Sequence, residues 1–284
     1  MKTRSGSFGL RPSPRMSSFL RMLPVSLAAV VAPVATATAA DPFKFTNIHI
    51  ETNASGCDMG IQILFDTDGI TELSIEDPND KVVFRSNTPR GKKDTHDQTE
   101  GFQERVEPPI TELETALGCE HSPDAISLRQ LFAAWPAGTY QFEAKSGGTV
   151  FKDVAKVNHK IPAGPTITAP EDGDVVPHNK PLLIKWKKVT GPLLSNLGPV
   201  KIVGYHVVVK DVTVPELSGP LQPAAYDVDV SKNETSVVVP KQYLEPNRIY
   251  EFEVLSTEKG GNQTITEGGV FCTVPRAPAN CELP

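Results

Sequence analysis

The chain has 284 residues, which is enough for about two domains, and its hydrophobic share of 39% argues against a disordered protein. Proline (26 residues) and glycine (21) are plentiful, which favours many short strands joined by turns over long helices. The net charge of −6 argues against nucleic acid or an anionic membrane as a partner, because both require a basic surface.

Residues 1–40 have the layout of a secretory signal peptide. Five basic residues precede an apolar stretch from Leu23 to about Val34, and small residues follow up to Ala39 and Ala40, where we expect cleavage. An uncleaved anchor is the alternative, but the apolar stretch is short for a membrane span and contains two prolines. Cleavage removes five of 28 basic residues and none of the 34 acidic ones, so the mature chain carries about −11. We expect a secreted or periplasmic protein with no membrane span.

The first half of the mature chain, residues 41–161, predicts a β-sandwich-like domain. The segments Glu112–Leu117 and Leu128–Trp135 suit short helices, and the polar stretch from Asn87 to Gly101 predicts a mobile loop. Alternating or β-branched runs between turn residues indicate six strands, at Phe43–Thr52, Gly60–Asp66, Ile70–Glu76, Lys81–Arg85, Thr139–Ala144 and Val150–Val157.

The segment Ile161-Pro162-Ala163-Gly164-Pro165 predicts a boundary between two domains. Proline stiffens a connection by fixing φ, and the nearby glycine permits a sharp turn, so we expect a short, semi-rigid linker. The second domain then covers residues 162–275, and residues 276–284 form a C-terminal tail.

The second half has clearer strands, and their spacing suggests an antiparallel sandwich. Seven are predicted, at Pro165–Ala169, Pro181–Trp186, Val203–Val212, Tyr226–Val230, Thr235–Val239, Tyr250–Val254 and Gly269–Val274. The fold class expected for the whole chain is therefore all-β, with two tandem immunoglobulin-like sandwiches.

Aromatic residues at particular places make the second half resemble a fibronectin type III domain. Trp186 lies on an early strand and Tyr205 on the next, and the run from Leu244 to Tyr250 has the Leu-x-Pro-x-x-x-Tyr spacing of a tyrosine corner. The resemblance implies that Trp186, Tyr205, Leu244 and Tyr250 belong to the core. The long connection Thr190–Lys201 departs from the family pattern and is either a binding feature or an insertion.

The whole mature chain also resembles a group of uncharacterised exported bacterial proteins. In these, a β-domain ending in a W/F-P-x-G-x-Y-x-F strand precedes a fibronectin-like domain, and the corresponding residues here run from Trp135 to Phe142. The resemblance implies architecture and export, and it implies no activity or site residues.

Four cysteines in an exported chain favour disulfide bonds. Of the three possible pairings, the simplest joins Cys57 to Cys119 and Cys272 to Cys281. A zinc site is the alternative, but the sequence has neither a C-x-x-C pair nor a neighbouring histidine cluster.

The sequence contains no recognisable catalytic or cofactor motif. A Gly-x-Ser-x-Gly turn, a His-Glu-x-x-His pair, a P-loop and a dinucleotide fingerprint are all absent from the mature chain, and its six histidines are scattered. We therefore expect no enzymatic activity, no cofactor and no metal.

Two groups of carboxylates are nevertheless candidates for chemistry. Asp66, Asp68 and Glu72 surround Gly69 and could bind calcium, although a plain Asp-Gly hairpin turn explains them equally well. Glu104 and Glu107 could act as a glycosidase acid–base pair, with a solvated, charged edge as the simpler interpretation.

Several aromatic residues could stack on sugar rings, but their positions in alternating strands favour the core. These are Trp135, Tyr140, Trp186, Tyr205 and Tyr250, whereas Tyr226 and Tyr243 are undecided. The predicted function is a non-catalytic binding or adhesion module for an extracellular or envelope protein, with recognition on Asn87–Gly101 or Thr190–Lys201. A carbohydrate-binding accessory protein and a hydrolase are the alternatives.

Overall fold

The computed structural model describes residues 41–88, 97–105, 107–213, 225–274 and 281. The expected signal peptide and all of the C-terminal tail except Cys281 lie outside these ranges. The strands are β1 (Phe43–Asn53), β2 (Asp58–Ile70), β3 (Glu72–Glu76), β4 (Val82–Asn87), β5 (Gln98–Glu104), β6 (Gly138–Ser146), β7 (Thr149–Val157), β8 (Thr166–Ala169), β9 (Asp174–Pro177), β10 (Leu182–Lys187), β11 (Ile202–Asp211), β12 (Tyr226–Ser231), β13 (Ser236–Val239), β14 (Ile249–Glu258) and β15 (Gln263–Val274).

Within the ranges given above, helical structure is confined to short segments. α1 (Thr111–Leu113) continues into a π-helical turn (Glu114–Gly118), α2 covers Leu128–Ala134, and Ser195–Leu197 forms a 3-10 turn. α2 begins with a capping box, in which Ser127 and Gln130 satisfy each other's backbone N–H groups. The all-β prediction is confirmed.

The first half is a sandwich in which β1, β2 and β5 face the sheet β4-β3-β6-β7. Alternation along β1 and β2 sends Ile48, Ile50, Ile61 and Ile63 into a core that leaves none of them more than 1% exposed. Tyr140, from the W-P-x-G-x-Y-x-F strand, is also buried, and its hydroxyl donates to the Pro136 carbonyl at 3.1 Å.

The second half has the strand order of a fibronectin type III sandwich, with β13-β10-β8 against β12-β11-β14-β15. Its core contains Trp186, Tyr205, Leu244 and Tyr250, all at most 4% exposed. The tyrosine corner is formed, because the Tyr250 hydroxyl accepts from the Glu245 N–H at 2.8 Å and donates to the Tyr243 carbonyl at 3.3 Å. The resemblance drawn from the sequence is confirmed for this half.

The two halves share one sheet. β15 of the second half pairs in parallel with β1 of the first through Glu51–Gln263, Thr52–Thr264 and Asn53–Ile265. The resulting eight-stranded sheet has the order β12-β11-β14-β15-β1-β2-β5, and β9 also pairs with β15. Nothing in the sequence pattern predicted this parallel pair. The domain boundary at residue 161 stays a prediction.

The predicted linker packs under the point where the halves meet. Ser256 donates to the Ala163 carbonyl and Thr264 donates to the Pro162 carbonyl, both at 2.7 Å. Asn262 is 1% exposed and accepts from the Ile50 N–H at 2.9 Å. Its amide also donates to the carbonyls of Asn158 and Lys160, at 2.9 and 3.1 Å. These bonds fix the two halves together.

Two expectations about turns and loops were wrong. Residues 98–101 of the predicted loop belong to β5, an edge strand paired with β2. They lack alternation because most side chains of β5 are exposed. Asp68 and Gly69 do not form a hairpin turn, since β2 and β3 belong to different sheets and the chain crosses between them. Residues 89–96 of the predicted loop lie outside the described residues.

The connection Thr190–Lys201 packs against the first half. Leu193, Leu194 and Leu197 lie on the core of that half, and the Leu193 N–H donates to the Ile161 carbonyl at 2.9 Å. The structure contains the disulfide bonds Cys57–Cys119 and Cys272–Cys281, which is the simplest pairing. Partial burial of these leucines gives the connection a packing role, and its part in recognition stays a prediction.

Candidate functional site

The eight-stranded sheet has an inner face that covers both cores and an outer face turned away from them. Cross-strand register places acidic residues from both halves on the outer face. They are Glu51 on β1, Glu104 on β5, Glu253 on β14, Glu267 on β15, and Asp227 and Asp229 on β12. The outer face is the strongest candidate site because charge, a cavity and exposed aromatic rings all occur on it.

Three glutamates form a cluster on the first-half part of this face. One carboxylate oxygen each from Glu51, Glu104 and Glu107 lies within 4.8 Å of the other two. Glu51 and Glu104 come from β1 and β5, and Glu107 from the segment that follows β5. We call these three residues the glutamate cluster.

Burial and mutual repulsion raise the pKa of two of these carboxyls. Burial raises the pKa of Glu51 to about 7, and the charges of Glu107, Glu253 and Glu104 add to the shift. The pKa of Glu107 also rises to about 7, first through burial and then through Glu104 and Asp58. The carboxyls of Glu51 and Glu107 therefore hold their protons to higher pH than ordinary glutamates do.

A glycine makes room for the cluster. Gly60 lies directly opposite Glu51 in the β1–β2 pair, and Glu107 packs against its backbone. A Cβ atom at position 60 would lie 2.4 Å from Oε1 of Glu107, so a larger residue would displace that carboxylate. Oε1 of Glu107 is itself buried and has no hydrogen-bond partner among the described residues.

Gln62 and His49 continue the row of side chains beyond Glu51. The Gln62 amide donates a short hydrogen bond to Oε1 of Glu51, and Gln62 lies opposite His49 in register. His49 is 4% exposed, and within the described part of the chain neither ring nitrogen has a hydrogen-bond partner of normal geometry. Burial lowers the pKa of His49 to about 4, although Gln62 partly opposes the shift. The ring is therefore neutral at neutral pH.

A cavity of about 370 Å³ opens on the second-half part of the outer face. Its described lining includes Asp172, Glu251, Glu253 and Glu267, with Val208, Phe252 and Val270 supplying apolar surface. Lys210 is the only lysine or arginine among the described lining residues. Burial raises the pKa of Glu253, and the charge of Lys210 lowers it by a smaller amount. We call this cavity the sheet pocket.

Two exposed phenylalanines lie on the outer face, and one of them is next to the glutamate cluster. Phe45 on β1 and Phe102 on β5 are 48% and 53% exposed. Register places Phe102 opposite Leu64, two residues from Glu104, and Phe45 opposite Asp66, further along the sheet. Exposed aromatic rings beside unpaired carboxylates are typical of a surface that contacts another molecule.

The three carboxylates around Gly69 do not form one group. Lys44 lies 2.6 Å from Asp68 and 3.8 Å from Asp66, whereas Glu72 pairs with Lys145. Asp66 and Asp68 therefore share a lysine on β1, and Glu72 has its partner on the other sheet. The calcium interpretation of these three residues stays a prediction that the geometry does not favour.

The aromatic residues considered for sugar stacking are mostly packed. Tyr140, Trp186, Tyr205 and Tyr250 are at most 3% exposed. Trp135 stacks on Tyr140, with ring centroids 6.1 Å apart. Tyr226 and Tyr243 contact each other at 5.9 Å. These residues do not form an exposed platform.

Sequence reasoning considered Glu104 and Glu107 but missed Glu51, their partner. The alternation of β1 places Glu51 on the outer face of the sheet and its neighbour Ile50 on the inner face. This pattern predicts that Glu51 points outward, but it does not predict which residues of other strands lie next to it. No helix in the described part of the chain has the length and apolarity that crossing a membrane would require.

Searches with the sequence matched no protein-family model and no curated protein. Among solved structures, the chain is similar to a crystal structure of domains A168-A170 from titin, at 14% identity and a TM-score of 0.25, with coverage of 80% of this chain and 62% of that one. It is also similar to the chicken CNTN1 FN1-FN3 domains, at 12% identity and a TM-score of 0.29, with coverage of 81% and 64%. The chain thus spans less than two thirds of each. With such low TM-scores, the fold assignment rests on the strand order and tyrosine corner described above.

Proposed function

We propose that this chain is an exported, non-catalytic module that binds a basic segment of a partner protein on the outer face of its large sheet. The observation that carries the proposal is the continuity of that face. The parallel β1–β15 pair joins the glutamate cluster of one half to the sheet pocket of the other.

Charge complementarity defines the partner. Glu51 interacts electrostatically with Glu253, which lies opposite Glu267 in the β14–β15 pair, so acidic side chains follow one another across the junction. A lysine- or arginine-rich segment would neutralise this repulsion, and its attraction would speed association at low salt. The exposed ring of Phe102 offers an apolar contact beside the charges, and that of Phe45 offers another further along the same face.

Export is supported by the two disulfide bonds, which persist in oxidising compartments. The signal-peptide pattern of residues 1–40 agrees with this. The partner would then be an envelope or extracellular protein.

A crosslinking pull-down from the producing cells tests the proposal. The wild-type protein is compared with E251Q/E253Q/E267Q and with a matched control, E120Q/D124N/E234Q, which neutralises three exposed acids elsewhere. We expect a dominant protein partner that the control retains, the pocket variant loses, and increasing salt releases. Equal capture by both variants would contradict the proposal. Recovery of a polysaccharide alone would favour the carbohydrate-binding alternative.

A second candidate function, glycoside hydrolysis, is favoured by the glutamate cluster alone. Glu107, with its pKa near 7, could serve as an acid beside the exposed Glu104, because such enzymes pair two nearby carboxyl groups. Neither residue lines the sheet pocket. Turnover of a glycan panel by the wild-type protein and its loss in E104Q would establish this function, whereas equal turnover in E104Q would exclude a role for Glu104.

A further inference from the structure

The three-stranded sheet β13-β10-β8 of the second half has lysines as the only charged residues on its strands. Lys185 and Lys187 are exposed on its outer face, because Ile184 and Trp186 of the same strand point into the core. The ion pairs among the described residues involve neither lysine. Two cations on this face are therefore available to a partner.

An exposed apolar pair lies beside these lysines. Leu183 is 38% exposed and Val238 is 55% exposed, and the two residues are directly opposite each other in the β10–β13 pair. Leu183 shares a face of β10 with Lys185, since side chains two residues apart on a strand point the same way. We call the surface formed by Leu183, Lys185, Lys187 and Val238 the lysine face.

The sheet pocket has the complementary charge and an apolar surface of its own. Its described lining contains four carboxylates and one lysine, together with apolar side chains. That lysine, Lys210, lies 3.6 Å from Glu251. Glu253 and Glu267 face each other in the β14–β15 pair and take part in no ion pair among the described residues.

The spacing of the charges also matches. Glu251 and Glu253 are two residues apart on β14, and Lys185 and Lys187 are two residues apart on β10. Each pair is therefore separated by about 6.6 Å along its strand. A strand carrying these lysines could set one beside each glutamate when the two surfaces face each other.

We propose that the basic partner of the sheet pocket is a second copy of this chain, which docks through its lysine face. This inference rests on the proposed function, because it names the partner of the same site. The lysine face and the sheet pocket lie on opposite faces of the second-half sandwich, so one molecule can use both at once. Two different surfaces meet in this contact, so it builds rings or open chains of molecules rather than a symmetric dimer.

The size of the lysine face predicts a weak association. β10 has 6 residues, which makes it about 20 Å long, and β8 and β13 have 4 residues each. Three such strands, about 4.8 Å apart, cover less than the ~800 Å² that each partner contributes to a stable interface. We expect a Kd on the order of 100 μM or weaker at low salt.

Sedimentation velocity and light scattering of the purified mature protein test the association. At about 50 mM salt the average mass should rise with protein concentration up to about 1 mM. At about 500 mM salt the association should be at least tenfold weaker, because salt screens the exposed charges.

Two variants, each with one surface altered, show which surfaces meet. K185E/K187E keeps the sheet pocket and E251Q/E253Q/E267Q keeps the lysine face, and we expect each variant alone to stay monomeric. An equal mixture of the two should form a dimer with one copy of each. The intact lysine face of one variant then meets the intact pocket of the other, and no further copy can add. Restored association in the mixture also shows that both variants are folded.

The matched control is K81E/K156E, which reverses two exposed lysines of the first half and should associate as the wild-type protein does. A wild-type protein that stays monomeric at about 1 mM in low salt would overturn the inference. So would association of either single-surface variant alone, a mixture that stays monomeric, or loss of association in the control. The proposed function fails separately, since a monomeric chain that still captures another protein through the sheet pocket would retain that function and remove only this inference.

Discussion

Where the two halves meet, the two faces of the shared sheet differ in whether their polar side chains have favourable partners. On the inner face, Asn262, Ser256 and Thr264 are buried and hydrogen-bonded to the linker or to β1. On the outer face, Glu51 and Glu107 are partly buried beside other acids. The difference teaches that the inner face is built for stability, whereas the outer face retains electrostatic strain that a ligand could relieve.

The largest expected effect belongs to Asn262 on the inner face. N262A leaves the Ile50 N–H and the carbonyls of Asn158 and Lys160 without this partner. We expect a loss of about 3 kcal/mol in the free energy of unfolding, measured by urea denaturation. N233A, at an exposed turn, should change it by less than about 0.5 kcal/mol. Equal losses would show that the junction adds no particular stability.

The burial of Glu51 beside other acids on the outer face should make the stability of the protein depend on pH. The folded pKa of Glu51 is about 7 and lies above the unfolded value, so the folded state holds this proton more tightly. The resulting stabilisation is complete below the unfolded pKa, near pH 4.3, and is lost as pH rises through 7. At pH 8 we expect E51Q to be more stable than the wild-type protein by about 2 kcal/mol, with a smaller difference at pH 5.

Urea denaturation of both proteins at pH 5 and pH 8, without divalent cations, measures this difference. E143Q is the control, since Glu143 lies 3.0 Å from Lys152 on the other sheet. A constant difference between E51Q and the wild-type protein across this range would show that Glu51 titrates as an ordinary glutamate.

A smaller loss should follow from a single inner-face hydroxyl. S256A removes the bond to the Ala163 carbonyl without creating a large cavity, so we expect a cost of about 1 kcal/mol. T264V, which removes the bond to Pro162 at nearly constant volume, should cost a similar amount. Unchanged urea midpoints in both variants would mean that the linker is held by packing alone.

The smallest effect is expected at the acids near Gly69. K44A removes an exposed ion pair with Asp68, and such pairs contribute little, so the urea midpoint of unfolding should stay unchanged within error. A loss of folding stability as large as that of S256A would show that Lys44 holds the start of β1 in place. It would also mean that the ion-paired acids matter for stability as much as the inner-face hydrogen bonds do.

Pattern alone predicted much of the second half. Trp186, Tyr205 and Tyr250 lie on alternating strands, and the tyrosine corner forms where its spacing indicated. In the first half, β5 was missed because its side chains are largely exposed and its stability comes from backbone pairing with β2. A backbone ladder leaves no hydrophobic period in the sequence when neither face of the strand is fully buried.

The sequence by itself determined the all-β class, the fibronectin-like half and its aromatic core. It also indicated the disulfide pairing, in which each cysteine is bonded to the nearest one in its own half of the chain. Only the tertiary structure decided that β1, β2 and β5 bring Glu51 together with Glu104 and Glu107, and that the parallel β1–β15 pair places Glu253 on the same face. The reason is physical: alternation and turn chemistry are local, whereas register between strands about 200 residues apart depends on how two cores and a linker pack together.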